Sequence, residues 1–310
     1  MHLTTHHSLR FVLSAGLFCS ACVSAFADSP SAGSGGKPKS MGLIDPAAFG
    51  FGRPGFVSDI SVIDDLDVEK RDESISFSEL RLIAPLAVKK GENFLFASSL
   101  GYHHTSVDLD GIGGLHHQSL HTLEAQCTLL WRPSHSRWSA MAFATPGVSS
   151  DFSQISTDDF ESSGLGLINY RVTDELRVAA GVFGRYADGE GMLVPALGLI
   201  WQPEPFIVQV TPPFAVVGWR VTDRWTLAWS FYPSGGAWDI DGEDVNRLEI
   251  SGWQSAFTCS YQLTEHWVTS VRAGWNVGGE LEMQNDVGTV VEKHDLHNAP
   301  FVAWNLRYLF

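Results

Sequence analysis

The side chains best placed to do chemistry in this sequence are arginines: Arg171, Arg177, Arg185, Arg220, Arg224, Arg272 and Arg307 fall on the polar side of alternating runs or at their ends. In a run of period two, successive side chains point to opposite faces. These guanidinium groups therefore share a face with Ala, Gly, Ser, Thr, Asn and Gln, and turn away from Leu, Val, Trp and Phe. A ring of cations on an inner wall favours anions. Matched with carboxylates such as Glu79 and Glu124, the same arginines form a structural network instead. On either reading Arg177, Arg185, Arg220, Arg224, Arg272, Arg307 and Glu124 line a lumen.

Histidines are the other acid–base candidates. His103, His104, His116, His117 and His121 flank a segment that also holds Asp108 and Asp110. His117 and His121 share a strand face but stand roughly 13 Å apart at the rise of an extended chain. One metal or one proton relay cannot span that gap without His103 or His104 from a neighbouring strand, so a solvated polar rim is the expectation. The Ser-Gly steps at Ser163-Gly164 and Ser234-Gly235 lack the Gly-x-Ser-x-Gly elbow of a hydrolase. Asp239-Ile-Asp241-Gly-Glu243-Asp244 has the wrong spacing for an EF-hand, leaving at most a loose Ca²⁺ loop. No Gly-rich segment joins a strand to a helix, so no phosphate cradle is expected. The sequence therefore predicts no catalytic residue, no metal, no cofactor and no enzyme.

The elements that must carry these residues are strands. From Phe56 onward the chain falls into runs of about ten residues, each with one apolar and one small or polar face. Three turns between them repeat a pattern of aromatic, any, aliphatic, Thr, acid, any, apolar: Tyr170 to Leu176, Trp219 to Trp225 and Tyr261 to Trp267. Looser copies run from Trp131 to Trp138 and from Trp201 to Phe206. A short threonine side chain bonds nearby backbone and tightens a turn, and flanking aromatics suit a headgroup girdle. Longer polar connections alternate with them, at Ser106–Gly114, Ser149–Ser163, Ala187–Gly191, Pro233–Asn246 and Glu280–Asn298. Two runs, Ile75–Ala84 and Leu165–Val172, alternate poorly.

The last run ends on Phe310, with Trp304, Leu306, Tyr308 and Phe310 on one apolar face and Asn305 and Arg307 on the other. At the opposite terminus Arg10, an apolar core from Phe11 to Val23 and Ala25-Phe26-Ala27 read as a secretory signal peptide. Cleavage near Ala27 removes Cys19 and Cys22. Cys127 and Cys259 remain, read as outward apolar packing and not as a disulfide. A net charge of −15 without basic clusters excludes nucleic acid. No run after the signal reaches the length a spanning helix needs, although the chain holds 11 Trp and 19 Phe.

The signal peptide, the repeated aromatic-Thr-acid turns and the closing Tyr308-x-Phe310 resemble those of Gram-negative outer-membrane β-barrels, and more narrowly a family of such barrels with unassigned function. The resemblance covers about residues 56–310 and implies an all-β, closed antiparallel transmembrane barrel of about 12 to 14 strands. It implies a signal peptide over 1–27, a periplasmic tether over 28–55 and a barrel over 56–310. Trp304, Leu306, Tyr308 and Phe310 would serve as the assembly signal read by the barrel-assembly machinery, with outer-membrane lipid and lipopolysaccharide as the other partners. The expected function is passive passage of small solutes, with anions favoured, through a porin-like pore. A plugged structural or surface-interaction barrel is the alternative, and an outer-membrane enzyme ranks behind both.

Overall fold

The structure is a computed structural model that describes residues 55–310 apart from 70–72, 110, 154, 157–158, 188–189, 212–213, 243 and 287. The expected signal peptide and nearly all of the tether lie outside the described residues. Strands follow in chain order as β1 (Gly55–Asp67), β2 (Ser74–Lys90), β3 (Phe94–Asp108), β4 (His117–Trp131) and β5 (Trp138–Ser150). Next come β6 (Phe160–Arg171), β7 (Leu176–Ala187), β8 (Glu190–Trp201), β9 (Phe206–Thr211) and β10 (Phe214–Arg220). The last are β11 (Trp225–Asp239), β12 (Arg247–Gln262), β13 (Trp267–Gln284), β14 (Val290–Asp295) and β15 (Ala299–Leu309). Among the described residues the one helical element is a 3₁₀ turn at Ile112–Gly114.

Each strand from β1 to β13 pairs antiparallel with its chain neighbours, and β15 pairs with both β13 and β1, which closes the ring. β14 pairs only with the outer end of β13 and continues the line of β15 across residues 296–298. β14 and β15 therefore count as one stave, and the barrel is 14-stranded, closed and antiparallel. Closure leaves no sheet edge at the β1–β15 seam, where Phe56 faces Tyr308 and Ile60 faces Trp304.

Sequence explains why the strands turn where they do. At three short turns a threonine hydroxyl accepts backbone N–H groups two and three residues on. Thr173 Oγ1 takes those of Glu175 and Leu176 at 3.2 and 3.0 Å, Thr222 Oγ1 those of Arg224 and Trp225 at 3.2 and 3.0 Å, and Thr264 Oγ1 those of His266 and Trp267 at 3.3 and 3.1 Å. Aromatics pair beside these turns: Trp225 with Tyr261 at 4.5 Å, Trp138 with Tyr170 at 4.7 Å, and Trp267 with Tyr308 at 5.0 Å. A second tier, Phe231 with Trp253 at 4.9 Å and Phe160 with Tyr186 at 6.3 Å, stands toward the other end. Between the tiers Val182, Leu197, Leu227, Phe257, Val271 and Val302 face outward and are exposed. An apolar band between two aromatic girdles is the outer surface of a transmembrane barrel. No described helix is long and apolar enough to cross a membrane, a statement that does not bear on strands.

The inside differs from a uniformly polar lumen. At the long-loop end Leu66, Leu109, Leu120, Leu248, Leu281 and Met283 are fully buried in one apolar cluster with Trp238, Ile240 and Val245. This core accounts for the two poorly alternating runs. Ile75 and Phe77 of β2, and Leu165 and Leu167 of β6, point inward and belong to it. It also explains why strands reach into segments that read as polar loops: β11 continues to Asp239 and β13 to Gln284, each carrying apolar residues into the cluster.

Candidate functional site

The polar part of the lumen is assembled from neighbouring strands of the ring. β1 and β13 are separated by the closing strand, and across it Arg272 Nη2 donates to both oxygens of Asp59 at 3.0 and 3.2 Å. Asn305 Nδ2 of β15 donates to Asp59 Oδ2 at 3.2 Å. A second network centres on Glu124 of β4. Gln126 Nε2 donates to its Oε1 at 2.6 Å, His103 Nε2 lies 3.2 Å from that oxygen, and Arg81 Nη2 lies 3.5 Å from it. Ser99 Oγ then donates to Gln126 Oε1 at 3.1 Å. Arg81 and Glu124 are buried at 7 % exposure each. Charges so far from water persist because each faces its opposite and because Gln126 and Asn305 add hydrogen bonds to the two carboxylates.

Toward the long-loop end Arg185 of β7 stands 3.8 Å from Glu161 of β6, and Ser149 Oγ donates to the other oxygen of that carboxylate. Ser61 Oγ donates to Glu79 Oε2 at 3.1 Å, and Tyr232 Oη to Gln254 Oε1 at 2.7 Å. Above these groups, Arg247 Nη1 donates to Asp239 Oδ1 at 2.7 Å.

Of the residues expected to line the lumen, Arg272, Arg307 and Glu124 are buried inside the barrel, and Arg177 and Arg185 lie on the inner face of β7. The structure places Arg220 at the end of β10, half-buried, and Arg224 exposed in the turn that follows, at the short-turn rim. Turn residues there are held outside the ladder by the Thr222 hydroxyl, so Arg224 has no strand face to carry it inward. Asp59 and Arg81 were not among the expected residues. Asp59 alternates with Val57 and Ile63, which are also inward, so an apolar-outside rule misplaces it. Arg81 sits in a run whose inner face is largely apolar.

The histidines divide. His103 joins the lumen network, whereas His104 and His121 meet outside as a tilted pair at 5.0 Å, and His121 stacks on Phe152 at 5.3 Å. Tyr102 Oη lies 2.9 Å from His121 Nδ1, and His104 Nε2 2.9 Å from Ser119 Oγ. These contacts satisfy the rings within a rim. Among the described residues no group of three or more His, Cys, Asp or Glu is placed to hold a metal ion. In the Asp239–Asp244 loop, Asp239 faces Arg247 and the Asp241 N–H donates to Asp151 Oδ2 at 2.9 Å. Cys127 and Cys259 are free thiols.

A family model described as Domain of unknown function (DUF6268) matches residues 116–308. No curated protein matches the chain. Among solved structures, the COG4313 outer membrane channel from Pseudomonas putida F1 is similar with a TM-score of 0.48 at 10 % identity, covering 84 % of this chain and 97 % of that one. The KdgM porin in complex with disordered oligogalacturonate gives 0.38 at 9 %, covering 83 % and 99 %. The Pseudomonas putida toluene transporter TodX gives 0.38 at 10 %, covering 86 % and 92 %.

Proposed function

The chain belongs to the family described as Domain of unknown function (DUF6268), whose description assigns no activity, and from that premise we propose that it is a passive channel for small solutes in the outer membrane. The observation that carries this reading is the two-sidedness of the wall. An apolar, girdled outer face surrounds an inner face rich in Ser, Thr, Gln, Asn and paired charges, with a polar cavity beside Arg185 and Glu161. Such a wall serves a water-accessible interior in lipid.

On this reading the short turns face the periplasm and the long connections the outside. The outer band meets lipid and lipopolysaccharide, and Trp304, Leu306, Tyr308 and Phe310 form the strand that the assembly machinery reads. Arg81, Arg185 and Arg272 each face a carboxylate, so much of the wall's charge is cancelled at close range and preference for anions is weak. Planar-bilayer recording of the refolded protein tests the proposal: discrete openings with a reversal potential near zero in a salt gradient are expected, and a silent protein would sink it. A second reading, a plugged structural barrel, is favoured by the apolar core at the long-loop end, and the same silence would support it.

A further inference from the structure

At the long-loop end the wall laps over itself. Pro233 and Ala237 occupy the face of β11 that carries Trp225, Leu227, Trp229 and Phe231 outward, and yet both are buried, Ala237 to 4 % exposure. Ala237 lines a cavity of about 70 Å³ together with Thr145, Ser163 and Arg185, which face inward from β5, β6 and β7. The outer face of one strand thus meets the inner face of three others. The far half of β11 lies inside the curve of β5 to β7, as the inner lap of a rolled sheet.

Strand length is the cause. β9 and β10 have only 6 and 7 residues, so the β8–β9 ladder is confined to Leu199–Trp201 and the β10–β11 ladder stops at Phe231. Beyond those points, no ladder is described on that side for residues 191–198 of β8 and 233–238 of β11. β11 next pairs at Asp239, with Ser150 of β5. The free stretch of β8 lies at the depth of the apolar band, where outward-facing Leu193 and Leu197 are 78 % and 70 % exposed. Non-helical backbone at that depth has to line protein or water. The cavity reaches Arg185, the ladder partner of Met192 on β8.

The two sides of this seam differ in chemistry. Its β8 lip is apolar through Met192-Leu193-Val194-Pro195-Ala196-Leu197. Behind the lip stand the Arg185–Glu161 pair and the Thr145 and Ser163 hydroxyls, which lie 2.8 Å apart. The apolar core stands at this end of the interior, and the far end of the seam is tied by the Asp239–Ser150 pairing, the Asp151 N–H on Asp239 O at 3.0 Å, the Asp241 N–H on Asp151 Oδ2 at 2.9 Å, and a side-chain hydrogen bond between Asp239 and Asp159. We propose that the seam between β8 and the inlaid half of β11 is a lateral portal for small amphipathic solutes. The apolar end of the solute slides along the β8 lip, and its polar end is received by the cavity. The proposal rests on the channel reading and adds the route and the class of solute.

Crosslinking across the two laps tests it. In full-length protein with Cys127 and Cys259 changed to serine, Ser163→Cys with Ala237→Cys places one thiol on each lap, and a bifunctional methanethiosulfonate joins them reversibly. The readout is entry of the amphipathic dye 1-N-phenylnaphthylamine into cells that lack their general porins, with arabinose uptake measured in parallel. Crosslinking should slow dye entry severalfold, and reduction should restore it. Thr145→Cys with Ala237→Cys repeats the test should the first pair fold poorly by its heat-dependent gel shift. Dye entry at the same rate with the seam locked would overturn the portal while leaving the channel reading intact. If neither probe enters faster than in cells without the barrel, the channel reading fails and the portal with it.

Discussion

Glu124 shows at the scale of single residues how this lumen is held. Its carboxylate is surrounded by Arg81, His103 and Gln126 in a site that water scarcely reaches. Removing one partner of a buried pair leaves the other without compensation. Glu124→Leu should therefore cost about 3–5 kcal/mol, read as a lower midpoint for heat-induced unfolding in detergent micelles, with Arg81→Leu combined with Glu124→Leu recovering much of it. Asp239 behaves differently. It stands eight residues past Phe231, beyond the outer girdle, and its carboxyl is pushed up from 3.8 to about 6 by burial, against the pull of Arg247 and with help from the Asp159 carboxyl. A folded pKa above the unfolded one means that the folded state holds more protons between those values, so stability falls as pH rises from about 4 to 6. Melting in micelles should show a higher midpoint at pH 5 than at pH 7, and Asp239→Asn should flatten that slope. An unchanged slope in the variant would assign it to another group.

Turns and strand lengths decide matters at the scale of elements. Each Thr-acid turn rests on one hydroxyl accepting two backbone donors, at distances that agree within 0.1 Å between Thr173 and Thr222 and closely at Thr264. Thr222→Ala should lose about 1 kcal/mol, seen in the same melting assay, while Asp223→Ala on the exposed turn should do little. The sequence repeat is thus a local device and was legible as one. The shortness of β9 and β10 acts at longer range, because it leaves the far halves of β8 and β11 apart and lets that of β11 lie inside the curve of β5 to β7. Gly235 suits that inlaid half. Its φ is +113°, and a Cβ there would fall 1.9 Å from the Ile250 carbonyl oxygen. Any side chain at Gly235 therefore pushes β11 away from β12.

For the whole molecule, apolar and polar groups share the interior, and the fully buried part of the apolar core, Leu66, Leu109, Leu120, Leu248, Leu281 and Met283, lies at the long-loop end. Leu281 and Met283 are fully buried in that core, and truncating a buried Leu or Met to Ala costs about 2–5 kcal/mol. In Leu281→Ala combined with Met283→Ala, the emptied space should also raise single-channel conductance in planar bilayers if the core closes the axis. A less stable protein with unchanged conductance would show that solutes do not take the axial path. Outcomes here and in the crosslinking experiment are complementary, since one opens the axis and the other locks the side.

Sequence alone determined the class of architecture and the faces of most strands. Alternation is a local property: Trp225-Thr226-Leu227-Ala228-Trp229 sorts itself once the chain is extended, and Arg272, Arg307 and Glu124 fall inward by parity. It also located the short turns, whose hydrogen bonds span only three residues. Tertiary structure decided which charges meet, because Asp59 and Arg272 come together only when the ring closes through β15, and parity says nothing about distance across a lumen. It decided as well that parts of the inward faces are apolar. In Ile75–Ala84 and Leu165–Val172 both faces bury apolar side chains, one against lipid and one against the core. Period two carries no signal where inside and outside favour the same residues, and that is why the apolar core and the lapped seam came into view only with the fold.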